Sequence, residues 1–384
     1  VIAMDAYNGM IRWVRELPRM ARFNVPRDSA NWAADDESVT IAIADRALRF
    51  DAHTGELIRT YPLHAAGEGM AWGFIARHED LLIGSAVRED APYTDWWGGQ
   101  NWYDGIADPT ARKVASDGLF AVGARAGAPR WSYSGGLILN PTITIAPDAR
   151  GRQLLTFVEV RDAGLMASDN RRLGGQDVWA NQHLVALDPY NGSVVWERPI
   201  DTRDGVTAFY AAAAEGWLVL TASSEGQFGV HTVDLASGED GWARDYPWET
   251  NHHGKHLSRP AIVGGRIFLR PHVLELDTGE PTELRFPSGH QCGTYACSTA
   301  GVILRAGNLT IWDSVENDAS RFNRVRPDCW LSTIPALGML LSPEGGGGCS
   351  CGSWMEMSFA MMPRAADPRQ ATPKQDEPAS ITAR

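Results

Sequence analysis

The chain has 384 residues, with 39 glycines, 15 tryptophans and a net charge of −12. That length is enough for one large all-β domain, and the acidic balance excludes a nucleic-acid track, which needs basic side chains along the phosphates. No apolar run approaches a membrane span, and no signal peptide is visible.

Taken in chain order, one pattern returns again and again. IAMDAYNGMIRWVRELP places Asp5, Gly9 and Trp13 at even spacing, and RFDAHTGELIRTYPL repeats Asp51 and Gly55 with Arg59 at the tryptophan position. LFAVGARAGAPRWSYS keeps Gly127 and Trp131 and has Gly123 in the aspartate position. VALDPYNGSVVWERPI carries Asp188, Gly192 and Trp196, and VDLASGEDGWARDYP carries Asp234, Gly238 and Trp242. LELDTGEPTEL, around Asp277 and Gly279, reads as a shortened copy.

Each copy is a β-rich run, a turn and a second β-rich run. The aspartate can accept backbone N–H bonds and the glycine can take positive φ, so Asp-x-x-x-Gly reads as a hairpin turn. Asp5 to Asp51 and Asp188 to Asp234 are the same 46-residue step, which fits one four-stranded blade. The reading is therefore an all-β chain, a β-propeller of four-stranded antiparallel blades over residues 1–363. Candidate blades span about 30–62, 69–135, 138–200, 206–247, 256–286, 292–318 and 329–363. With the two outer strands of residues 1–17 they make an eight-bladed ring whose first blade is incomplete; seven blades is the alternative. Closure is expected from a C-terminal strand pairing with the N-terminal hairpin. The tail, 364–384, rich in Pro, Gln, Ser and charge, is expected to be disordered.

The D-x-x-x-G-x-x-x-W signature resembles the PQQ-like (pyrroloquinoline quinone) repeat of quinoprotein dehydrogenases and of outer-membrane assembly lipoprotein propellers. The resemblance implies that Trp13, Trp131, Trp196 and Trp242 lie flat against the neighbouring blade, and that Arg59 makes a weaker contact. CGTYACS, RPDCWLSTIPALGMLLSPE and GCSCGSW resemble a branch of such propellers found in large bacterial polypeptides. That implies a periplasmic or otherwise extracytoplasmic domain of a larger chain. For an oxidoreductase, the resemblance implies PQQ with calcium and a base aspartate. Cys349-Ser350-Cys351 departs from the adjacent cysteine pair of the family enzymes, and CxxCH is absent.

In a four-stranded blade the D-to-A and B–C connections share one face, opposite the Asp-x-x-x-Gly hairpins. TDWWGGQNWYDGI (94–106) and RDAGLMASDNRRLGGQDVWANQ (161–182) are expected B–C insertions on that face. Trp96, Trp97, Trp102 and Tyr103 are suited to stack on a sugar or quinone ring, or else plug the channel mouth. NHHGKH brings His252, His253, Lys255 and His256, and RVRPDCW brings Arg324 and Arg326, to the same face. HHxxH invites a metal, but no carboxylate or thiol completes a familiar motif, so none is expected. Cys292, Cys329, Cys349 and Cys351 suit two disulfides in an oxidising compartment, with a four-thiolate zinc site as the rival. Cys297, in a strand-like run, reads as a buried thiol. The function expected is a binding or scaffolding module, a monomeric domain taking a protein, small-molecule or glycan partner on the loop-bearing face. A quinoprotein oxidoreductase and a carbohydrate-binding propeller are the alternatives.

Overall fold

The computed structural model describes residues 1–18, 31–63, 69–88, 115–168, 181–202, 208–224, 226–249, 258–289, 294–323, 325, 333–342 and 358–362. These form seven antiparallel blades, residues 32–62, 70–133, 137–199, 208–247, 261–285, 296–322 and 334–361, preceded by a two-stranded hairpin, Ile2–Met4 with Ile11–Val14. Within each blade the strands run in sequence order from the innermost outward. The innermost strands of successive blades touch, Trp32–Ala34 on Met70–His78, Ala208–Ala214 on Ala261–Val263, and Ala261–Val263 on Ala296–Ser298. The chain is a β-propeller. Three strands of the seventh blade lie among the described residues.

Burial explains why these segments become strands. The second strand of a blade is covered on both faces, and Leu81–Arg88 and Gln153–Val160 are apolar and buried almost throughout. The outermost strand is wet on its outer side, and Leu57–Pro62 exposes every residue except Tyr61.

Six outer hairpins close with the same two backbone bonds. Asp5, Asp51, Gly123, Asp188, Asp234 and Glu275 each accept the N–H of the glycine four residues on, and each donates to the carbonyl one residue beyond it. Each of those glycines has φ between +69° and +77°, a conformation costly for other residues. The aspartate side chain braces the loop: Oδ1 of Asp51 accepts from His53 N (2.9 Å) and Thr54 N (2.8 Å). Those amide donors hold the Asp51 carboxyl below its usual range, and the Arg12 guanidinium does the same for Asp5. The fifth blade corrects the sequence reading. Its turn is full length, from Glu275 to Gly279, not a shortened copy around Asp277. The sixth blade has an equivalent turn in which Asp313 Oδ1 braces Val315 and Glu316, and Asn317 takes the positive φ (53°).

The seams between blades are built on these turns. Trp13, Trp131, Trp196 and Trp242 donate from Nε1 to the carbonyls of Ala52, Pro189, Leu235 and Leu276, at 2.8–2.9 Å. Each ring lies against the turn glycine of the next blade: a Cβ on Gly55, Gly192, Gly238 or Gly279 would come within 2.6–2.8 Å of it. Where Arg59 stands, the equivalent carbonyl, Ala124 O, accepts instead from the Tyr61 hydroxyl and from Arg49 (3.1 Å). At the turn-bearing rim, Glu215 of the fourth blade accepts from the amides of Gly264 (2.7 Å) and Gly265 (2.8 Å) of the fifth. Glu215→Ala removes both bonds and is expected to cost about 1–3 kcal/mol, read as a lower urea midpoint at unchanged slope.

Candidate functional site

The two rims differ in kind. A–B and C–D connections share one rim and are tight turns, while B–C and D-to-A connections share the other. Arg88 and Ala115 flank the first long connection, and Val160 and Asn181 the second. Trp96, Trp97, Trp102 and Tyr103 fall between Arg88 and Ala115, outside the described residues. So do His252, His253 and His256, Cys292, Arg326, Cys329, and Cys349 with Cys351. The described strand ends flanking all of them belong to the loop-bearing rim.

The root of the first insertion is fully described. Arg88 Nε lies 3.5 Å from Asp117 Oδ1, and Asp117 N donates to Ala86 O (2.7 Å), so the two ends are clasped together. Just before that clasp, Ala115–Ser116 pairs with Leu139 and Ile138 on the innermost strand of the third blade. The insertion therefore leaves from the middle of one blade and returns beside the axis on the next. Ser116 Oγ makes bonds to Asn140 Oδ1 (2.6 Å) and Ser85 Oγ (2.7 Å), and Ser85 Oγ accepts from Phe74 N (2.7 Å). All three side chains are buried, so a satisfied polar knot fixes that re-entry point. Gly73 makes room for it, because a Cβ there would stand 2.6 Å from Ser85 Oγ.

The second root is ionic. Glu159, at 0 % exposure, accepts from the Tyr133 hydroxyl (2.9 Å) and Arg161 Nε (2.7 Å) through one carboxylate oxygen. Arg161 also reaches Glu197 at 2.5 Å, and its amide donates to Asn181 O (3.1 Å), closing the neck of the loop. Inside that neck, Asp162 caps the short helix Ala163–Ala167 by accepting from Leu165 N (2.9 Å). Burial, then the Glu159 charge, raises the Tyr133 hydroxyl well above its usual value, so it stays a donor.

Over the fourth to sixth blades the rim carries arginine. The Arg259 guanidinium sits 4.5 Å above the Tyr210 ring. Arg270, 6 % exposed, donates to Glu249 Oε2 (2.9 Å) and Gly289 O (3.4 Å), and Arg305 is 3 % exposed. The Tyr295 hydroxyl donates to Phe268 O (2.9 Å) and to Arg259 O. Nearby His272 accepts from Arg285 (3.0 Å) and bonds Pro247 O (2.7 Å); burial lowers its affinity for a proton and keeps it neutral. Cys297 is a free thiol in the strand Ala296–Ser298, pushed up to about 12 by burial. Sequence reasoning missed all of these groups except Cys297.

Between the third and fourth blades, a groove of about 310 Å³ is lined by Arg198, Asp201, Thr202, His231, Asp240 and Trp242 among others. Among the described residues, no three His, Cys, Asp or Glu side chains converge as a cation would require. Also among the described residues, no helix is long and apolar enough to cross a membrane.

No family model matches the chain, and no curated protein matches it. Several solved structures are similar at low identity. A europium-containing methanol dehydrogenase is 10 % identical over 89 % of this chain and 80 % of its own, at a TM-score of 0.49. An exotype rhamnogalacturonan lyase is 11 % identical over 87 % of this chain and 74 % of its own, at 0.47. A quinohemoprotein alcohol dehydrogenase from Pseudomonas putida HK5 is 13 % identical over 94 % of this chain and 52 % of its own, at 0.38. These are likenesses of shape, across proteins whose names describe different chemistries.

Proposed function

We propose that this propeller is an extracytoplasmic binding module that presents its partner surface on the loop-bearing rim. The re-entry of the first insertion beside the axis, at Ala115–Ser116, carries the reading. A connection that only had to join two neighbouring strands needs a few residues. This one is fastened at both described ends, by an ion pair and by a buried polar knot, and its described return lies along Leu137–Leu139 of the third blade. The opposite rim spends its polar groups on its own turns.

A photo-crosslinking side chain separates the two rims. Placed at Ser134 or Ala163, exposed positions on the loop-bearing rim, it is expected to give a discrete adduct in intact source cells. At Glu56 or Glu239, exposed on the turn-bearing rim, it is expected to give none; the reverse pattern overturns the reading. A glycan-array signal lost in Trp96→Ala, Trp97→Ala would make the partner a carbohydrate. The extracytoplasmic placement rests on the late cysteines. Non-reducing peptide mapping is expected to join Cys292 or Cys329 to Cys349 or Cys351, and four alkylatable thiols in fresh native protein would remove it.

A further inference from the structure

We propose that His272 is an acid-sensitive latch on the joint between the fourth and fifth blades, closed while its ring is neutral and released when the ring takes a proton. His272 opens the third strand of the fifth blade, His272–Glu275. Leu274, two residues on, packs with Tyr246 and Trp242 of the fourth blade, so by alternation the imidazole faces that blade too. It is 6 % exposed, and its ring centre lies 5.5 Å from that of Tyr246.

The partners fix which nitrogen carries the hydrogen. Nδ1 lies 3.0 Å from Arg285 Nη1, and a guanidinium only donates, so Nδ1 must offer its lone pair. Nε2 then carries the hydrogen and donates to Pro247 O of the fourth blade at 2.7 Å. A second proton has one place to go, Nδ1, where it meets a donor that cannot accept. The result is a buried cation pressed against another cation.

The other charged groups of this joint are committed elsewhere. From the fourth blade, Arg244 pairs with Glu280 at 2.7 Å, and by alternation from Tyr246 the Asp245 side chain faces the third blade. Glu249 accepts from Arg270 at 2.9 Å, and Glu283 is exposed on the outermost strand of the fifth blade. Burial, and after it the Arg285 charge, lowers the proton affinity of His272 below its ordinary 6.5, while the bond to Pro247 O works the other way. Once the joint opens, the ring titrates normally. The latch therefore holds fully above pH 6.5 and weakens as pH falls from there through the lowered folded value. Each pH unit of that lowering makes opening about tenfold easier in acid.

Tyr246 carries the release along the joint. Its ring stands beside His272, and its hydroxyl reaches Gly279 O (2.5 Å), against which Trp242 also packs. Pro247 ends its strand at the loop-bearing rim, so acid parts the two blades from that side.

Hydrogen exchange at the seam indoles reads the latch. Trp242 donates across this joint, and Trp13, Trp131 and Trp196 donate across three others. From about pH 7.5 to about pH 5, with the intrinsic rate divided out, protection of the Trp242 indole is expected to fall about tenfold while the other three hold. His272→Gln preserves both bonds, because its amide can donate to Pro247 O and accept from Arg285, yet takes no proton. It is expected to keep Trp242 protection constant over that range. Arg285→Met relieves the meeting of two cations, and is expected to shrink the fall and raise the pH at which the His272 ring titrates by NMR. An equal fall at all four indoles overturns the proposal. So does a fall that persists in His272→Gln, or a wild-type His272 ring that titrates at or above its ordinary value.

Discussion

Gly238→Ala is expected to destabilise the protein by about 2–5 kcal/mol, while Gly151→Ala costs only about 1–2 kcal/mol. Both glycines sit at positive φ, +77° and +82°, so the backbone penalty is shared. What differs is the surroundings. A Cβ at Gly238 would lie 2.8 Å from the Trp196 ring, whereas nothing lies within 4 Å of one at Gly151. The difference between the two urea midpoints therefore isolates the seam contact. Trp196→Ala gives up the same contact and the bond to Leu235 O, so combined with Gly238→Ala it should lose much less than the sum of the two. Additive losses would mean that glycine and indole do not act as one unit.

Arg161→Met is expected to cost about 3 kcal/mol, because it leaves the Glu159 carboxylate fully buried with no cation beside it. Glu197→Gln, at the exposed end of the same guanidinium, should cost under about 1 kcal/mol. The pair also differs in pH dependence. Arg161 holds the Glu197 carboxyl below its ordinary 4.5. That contribution is complete above pH 4.5 and fades as pH falls through the lowered folded value. Wild type should show this acid limb in denaturant midpoints taken from pH 7 downward, and Arg161→Met should lack it. Equal losses in the two variants at pH 7 would remove the buried-carboxylate explanation.

The repeat was legible because a turn imposes chemistry at fixed offsets. Aspartate and glycine four residues apart, with tryptophan four further on, marked three of the turns in full and two more by two of the three residues. The fifth-blade turn was read as shortened because Glu275 stands at the aspartate position, where its backbone alone makes the two turn bonds, and the sixth was missed because Asn317 takes the left-handed position. The Arg59 seam was legible as an exception but not as a solution, since Tyr61 two residues later takes over the carbonyl. The roots of the insertions were not legible at all. Ser85, Ser116 and Asn140 come together across separations of 24 to 55 residues, with no period to betray them. The same holds for Glu159 with Glu197 and for the rim arginines. Their partners are chosen by blade-to-blade packing, and a single sequence read along its length carries no trace of that. The described strand ends that flank the sequence candidates at Trp96, Trp97, Trp102, Tyr103, His252, His253, His256 and Arg326 belong to one rim, because strand parity alone decides which end a loop leaves from.

The four seam indoles also give the molecule an intrinsic gauge of its own opening. Trp13 is buried and the other three are half-buried, and each is bonded to the following blade, so parting any of those joints wets one indole and shifts its emission to the red. The joint held by Tyr61 has no seam indole, but Trp72, 3 % exposed, is buried in the same cluster, so parting that joint wets an indole too. Emission moving in step with ellipticity during slow denaturation is therefore expected whichever of these joints parts first.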